Sequence, residues 1–164
     1  MAQAIADRDL YETDFYAWTQ QQAAKLRRLE AQAVNLDLDL PRLAEEVEDL
    51  GKAERDAVRS QVERVIEHCL KLEHSPATEP RLGWYDSIDD ARRELSRKLT
   101  PTLRRDLEGE LARLYQRARR WTQRALRRRG EAAAADALPS ECPYDLDRLL
   151  NEDWYPQSRH GLPD

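Results

Sequence analysis

The feature that most constrains this chain is the spacing of its apolar side chains, which recur every three or four residues along most of its length. That period matches one face of an α-helix; a half-buried strand would alternate every second residue. In the first segment Phe15, Trp18, Gln22, Leu26, Leu29 and Ala33 step in this way. The second carries Leu43, Val47, Leu50, Ala57, Val58, Val62, Val65, Ile66, Cys69 and Leu72. A third has Trp84, Ile88, Ala91, Leu95 and Leu99, and a fourth Leu103, Leu107, Leu111, Leu114, Ala118, Trp121 and Ala125. Valine, isoleucine and threonine together number only 14 of 164 residues, too few for a sheet of several strands. The expectation is an all-α fold.

Punctuation along the chain divides these stripes. Asp39 or Leu40 is placed to cap the second helix, with Pro41 in its first turn where no amide donor is needed. Gly51 is a weak point in that helix, but the period resumes in phase after it, which favours a continuous rod of roughly 45–50 Å at 1.5 Å per residue. Pro76, Pro80 and Gly83 mark His74–Asp86 as a linker. Thr100 followed by Pro101 opens the fourth helix, and Gly130 supplies its left-handed end. The predicted helices are 8–34, 40–73, 86–99 and 101–129, with a short one at 145–151 and an irregular tail. Four amphipathic segments bury their stripes most cheaply as an up-and-down four-helix bundle in one domain, residues 1–164. Two helices are long and one is short, so the stripes need not all close within one chain. A homodimer, or another protein, is the expected partner.

Charge and composition exclude several classes. Charged residues are 36% of the chain and the net charge is −5, so there is no global positive field and nucleic acid is not an expected partner. Two cysteines are too few for a disulfide framework, and the opening MAQAIADRDLYETD lacks the basic and apolar regions of a secretory signal. No run approaches the roughly 18 apolar residues of a membrane span. The expected setting is cytoplasmic, without membrane contact.

Read in order, the segments YETDFYAW (Tyr11, Asp14, Phe15, Trp18), LDLDLPRLAEEVEDLG and HCLK (His68, Lys71) resemble the bacterial "domain of unknown function 29" family. So do the proline-bearing linker to Trp84, then Arg92, Pro101, Leu103, Tyr115, Ala118 and the CPY of Cys142–Tyr144. The chain departs from that pattern at Leu72, Glu73 and His74 and again at Asp86 and Ser87. The resemblance implies a compact all-helical bacterial protein and carries no established activity.

Candidate chemistry is sparse. Glu45 and Glu46 lie in the first turns of the second helix, with Glu46 bordering the Leu43–Leu50 stripe; there they suit a base or an arginine partner, or simply the helix dipole. His68 sits at the edge of the same stripe with Arg64 one turn before it and Lys71 one turn after, and an imidazole there suits a general base or a buried hydrogen bond. His68 and Glu46 are 22 residues apart, about 33 Å along a straight helix, and meet within one chain only if Gly51 reverses the rod. Trp84 and Arg92 complete the candidate set. The arginine-dense RLYQRARRWTQRALRRR of Arg113–Arg129 offers Arg124, Arg127 and Arg128 to anions, but Tyr115 and Trp121 fall on or beside the buried stripe. No Glu-x-x-His pair, zinc-ligand spacing or glycine-rich phosphate loop occurs, so neither a metal nor a cofactor is expected. The pattern points to a non-catalytic helical interaction module. Two alternatives stay open: a hydrolase or nuclease-like enzyme using His68 with Glu46, Lys71 or Arg92, and nucleic-acid or anion binding through the arginine face of 113–129.

Overall fold

The computed structural model describes residues 9–32 and 36–163, and among these there is no strand. After a helical turn at 9–13 come α1 (Phe15–Ala31), α2 (Leu40–His74), α3 (Arg81–Lys98), α4 (Pro101–Arg128), α5 (Ala132–Asp136) and α6 (Leu146–Leu150). The protein is all-α, as the apolar spacing requires.

Local chemistry explains most of the boundaries. Asp39 accepts the Arg42 amide at 3.1 Å to start α2, and Thr100 accepts the Leu103 amide at 3.3 Å to start α4. Gly130, at φ +81, ends α4 with the Glu131 amide returning to the Leu126 carbonyl at 2.9 Å. Asp145 caps α6 through the Arg148 amide at 2.8 Å.

Two boundaries differ from expectation. The first helix does not run through from residue 8, because buried Asp14 leaves helical geometry and turns its carboxylate onto the Ala17 amide; residues 8 and 33–34 of the expected span lie outside the described residues. The expected linker ends early: α3 begins at Arg81, directly after Pro80, and carries Gly83 and Trp84 inside it. A glycine in a helix costs only about 1 kcal/mol, which the buried row Trp84, Ile88, Ala91 and Leu95 outweighs.

The described residues fall into two units. The first comprises residues up to Ala57 together with Leu99–Arg105. Its buried set is small: Thr19 and Ala23 on α1, Leu40, Ala44 and Gly51 on α2, and Leu103. Asp14 ties two helix starts together, because its second carboxylate oxygen accepts the Thr102 amide at 2.8 Å. Burial works against its charge, but those amide bonds prevail and hold the carboxyl below its usual range. Arg27 pairs with Glu48 across α1 and α2.

The second unit comprises Val58–Lys98 and the chain from Asp106 onward. Its core draws Val58, Val62, Val65, Ile66, Cys69 and Leu72 from α2, Ile88, Ala91 and Leu95 from α3, and Leu107, Leu114, Tyr115, Ala118 and Leu126 from α4. Side chains of α4 fasten the following segment: the Tyr115 hydroxyl donates to the Pro139 carbonyl at 2.6 Å, Gln116 to Ser140, Arg119 to Leu138 and Gln123 to Ala135.

In three places the buried face is rotated by one residue from the expected stripe. On α1 the buried positions are Thr19 and Ala23, whereas Trp18 and Gln22 are only half-buried. On the first half of α2 the buried positions are Leu40, Ala44 and Gly51, whereas Leu43 and Leu50, expected inside, are exposed. Near the end of α4 the row continues Ala118, Thr122, Leu126, so Trp121 faces solvent and Ala125 is only half-buried. Thr122 is admitted because its hydroxyl donates to the Ala118 carbonyl at 2.9 Å, leaving no orphan polar group. Leu29 is likewise exposed, and Leu111 half-buried.

Candidate functional site

The second unit carries a groove of about 420 Å³ between α2 and α4, lined by Ser60, Glu63, Arg64, Glu67 and His68 on one wall and Ala118 and Trp121 on the other. Helical spacing on α2 places 60, 64, 67 and 68 on one side of the rod, and the one-residue rotation of α4 brings Trp121 out to the rim. Its indole is 56% exposed, with the Arg124 guanidinium 5.3 Å from the ring centre.

His68 is half-buried, and its Nδ1 is sealed from solvent without a hydrogen-bond partner. Burial lowers its pKa to about 4, the neighbouring Lys71 and Arg64 charges push the same way, and Glu67 opposes them. The imidazole is therefore neutral at pH 7. Lys71 does not reach into the groove as a free amine, since it pairs with Glu67 at 2.6 Å. Glu63 lies 3.2 Å from Arg117, although burial holds its carboxyl above the usual range.

The remaining predicted residues are dispersed. Glu45 and Glu46 belong to the first unit, and both are exposed. Glu46 does not border a buried stripe, because Leu43 and Leu50 themselves face water. The continuity of α2 through Gly51 also removes the reversal that would carry Glu46 to His68. Trp84 is buried, with Arg129 5.7 Å from its ring centre. Arg92 is 2% exposed and committed to backbone: it donates to the Leu149 carbonyl at 2.9 Å and the Trp154 carbonyl at 2.8 Å, and lies 5.0 Å from the Tyr155 ring centre. That is the geometry of a clamp on the tail. Arg127 pairs with Asp136 at 2.6 Å, whereas Arg124 and Arg128 stay exposed with no carboxylate partner among the described residues.

Two further features lie beyond sequence reasoning. Glu73 accepts the Tyr144 hydroxyl at 2.6 Å and the Arg159 guanidinium at 3.0 Å, fastening partners 71 and 86 residues away. Only the fold brings them together, and no local motif signals it. A wider depression of about 740 Å³ runs between Leu111, Ala112 and Gln116 and the segment Glu141–Asp145. Its Cys142 thiol donates to the Tyr144 carbonyl at 3.2 Å, and burial raises its pKa, so it is a poor nucleophile at neutral pH. Among the described residues no group of three or more His, Cys, Asp or Glu side chains is placed to hold a metal, and no helix is long and apolar enough to cross a membrane.

Comparison with known proteins gives consistent results. The family described as "Domain of unknown function DUF29" matches residues 10–155. An alpha-helical protein of unknown function from Rhodospirillum rubrum, solved by crystallography, is similar to this chain with a TM-score of 0.77 and 29% identity. The similarity covers 87% of this chain and 90% of that one. No curated protein matches.

Proposed function

This chain belongs to the DUF29 family, whose function is unknown, and we propose that it is a non-catalytic helical module that pairs with a second copy of itself through the leucine face of α2. The observation that carries this is the uncovered stripe on the first half of that helix. Leu43 and Leu50, seven residues and two turns apart, are 40% and 55% exposed, and Leu36 and Leu38 just before the helix are exposed as well. Fully burying a leucine side chain contributes about 1.5–3 kcal/mol, so such a row left in water is a standing drive toward association. A second copy is the simplest occupant, because an apolar face is complementary to itself across a two-fold axis. The dispersal of Glu46, His68 and Arg92 supports a binding role over a catalytic one. Two free cysteines and no disulfide among the described residues fit the cytoplasmic setting expected from the sequence.

Sedimentation equilibrium tests the pairing. Wild-type protein at tens of micromolar should show about twice the 19.2 kDa chain mass, and the Leu43→Glu, Leu50→Glu variant the single-chain mass with unchanged helical circular dichroism. The stripe is flanked by exposed Glu45, Glu46 and Asp49, so added salt should strengthen pairing by screening like charges. A wild-type chain that stays monomeric at several hundred micromolar removes the proposal.

A further inference from the structure

We propose that the Trp121 face of α4, with the Arg64 and His68 wall of α2, binds single-stranded nucleic acid, one base stacking on the indole while flanking arginines hold phosphates. The expectation against nucleic acid rested on the net charge of −5 and, for this helix, on Tyr115 and Trp121 both being core; Tyr115 is buried, but Trp121 is exposed, which removes that part of the ground. At 100° per residue, Arg117, Arg120, Trp121, Arg124 and Arg128 fall within about 100° of the circumference of α4, and Arg117 to Arg128 spans about 16 Å. The basic residues are not equivalent. Arg113 is neutralised by Glu110, Arg117 by Glu63 and Arg127 by Asp136. Arg120, Arg124, Arg128 and, across the groove, Arg64 are exposed and have no carboxylate partner among the described residues. In a chain with 32 acids and 27 lysines and arginines, leaving four guanidiniums unneutralised around one exposed indole concentrates positive potential where an aromatic platform stands.

The groove walls do not oppose this. Glu67 and Glu63 line the groove, but they are engaged by Lys71 and Arg117. His68 lines the groove as a neutral ring and adds no charge to it. An acidic peptide would satisfy the arginines and leave the indole unused; a single strand uses both, since stacking tolerates any base and phosphates are spaced for successive arginines. A duplex keeps its bases stacked internally and offers Trp121 nothing.

Fluorescence anisotropy of a labelled twelve-residue oligothymidylate, titrated with the full chain at 50–200 mM salt, tests the proposal. Four phosphates contacted predict a slope of log K against log salt of about −3, from −0.7 per contact on a single strand. Trp121→Ala should weaken binding about tenfold with the slope unchanged, and Trp121→Phe should restore most of it. Arg120→Gln, Arg124→Gln, Arg128→Gln together should flatten the slope to about −1. The Leu43→Glu, Leu50→Glu variant should bind as wild type, which separates this surface from the pairing face. No binding at 50 mM salt overturns the proposal. So does equal binding of a twelve-residue polyglutamate that Trp121→Ala leaves unaffected, which would assign the face to acidic proteins.

Discussion

Replacing Gly51 with alanine should weaken the fold, although it puts the best helix former in place of a poor one in the middle of α2. By propensity alone the change would stabilise the helix by about 1 kcal/mol. The packing of α1 on α2 in the first unit reverses that sign. A Cβ at position 51 would stand 2.1 Å from Thr19 Oγ1, 3.0 Å from Gln20 Nε2 and 3.1 Å from Thr19 Cβ. Gln20 is half-buried and can move. Thr19 is fully buried and donates its hydroxyl to the Tyr16 carbonyl at 2.7 Å, so turning the side chain away breaks a buried hydrogen bond. The helices must separate, or the threonine must adopt a poor rotamer, and overpacking of this kind costs about 1–3 kcal/mol. At an approach as short as 2.1 Å the upper part of that range applies, about 2–3 kcal/mol, so the net effect is a loss of about 1–2 kcal/mol. With a urea m-value of about 2 kcal/mol/M, the midpoint followed by circular dichroism at 222 nm should fall by about 0.5–1 M. Thr19→Ala in the Gly51→Ala background should recover part of that loss, because it removes the closest atom but leaves the Cβ. A Gly51→Ala midpoint equal to or above wild type would refute the close approach of α1 and α2 at this point.

Two more tests concern the second unit. Because burial holds His68 well below its unfolded pKa of about 6.5, the unfolded chain binds the extra proton between pH 6.5 and about 4, and stability is lost as pH falls through that window. Wild type should lose about 2 kcal/mol more than His68→Gln between pH 7.5 and pH 5 in urea titrations; parallel losses would mean that His68 titrates normally. Arg92→Leu leaves the Leu149 and Trp154 carbonyls without their donor, and should cost about 2–4 kcal/mol and speed amide exchange across 146–155 severalfold. Unchanged protection there would show that the tail is held by other contacts.

The rotated stripes on α4 and α2 show where sequence inference stops. On α4 the steps Ala118, Trp121, Ala125 and Ala118, Thr122, Leu126 both obey helical spacing, and hydropathy favours the first. The protein uses the second, because a threonine can satisfy its own hydroxyl within the helix while the indole goes to the rim. On α2 Leu43 and Leu50 belong to the expected core stripe, yet Ala44 and Gly51 are the buried ones. Arg92 and His68 stood out in the sequence as chemically able groups. Arg92 is absorbed by carbonyls 56 to 62 residues away, and no spacing rule reports such a partner.

What the amino-acid order settled alone is the set of rods: helical period, scarce β-branched residues, the caps at Asp39 and Thr100, and the glycine end at 130 are local, and helix formation is governed locally. What only the tertiary structure decided is how each rod is turned about its own axis. A shift of one residue rotates a helix by 100°, and neighbouring side chains, not the helix itself, set that angle. From that rotation follow the buried glycine, the uncovered leucines and the exposed tryptophan on which the proposed functions rest.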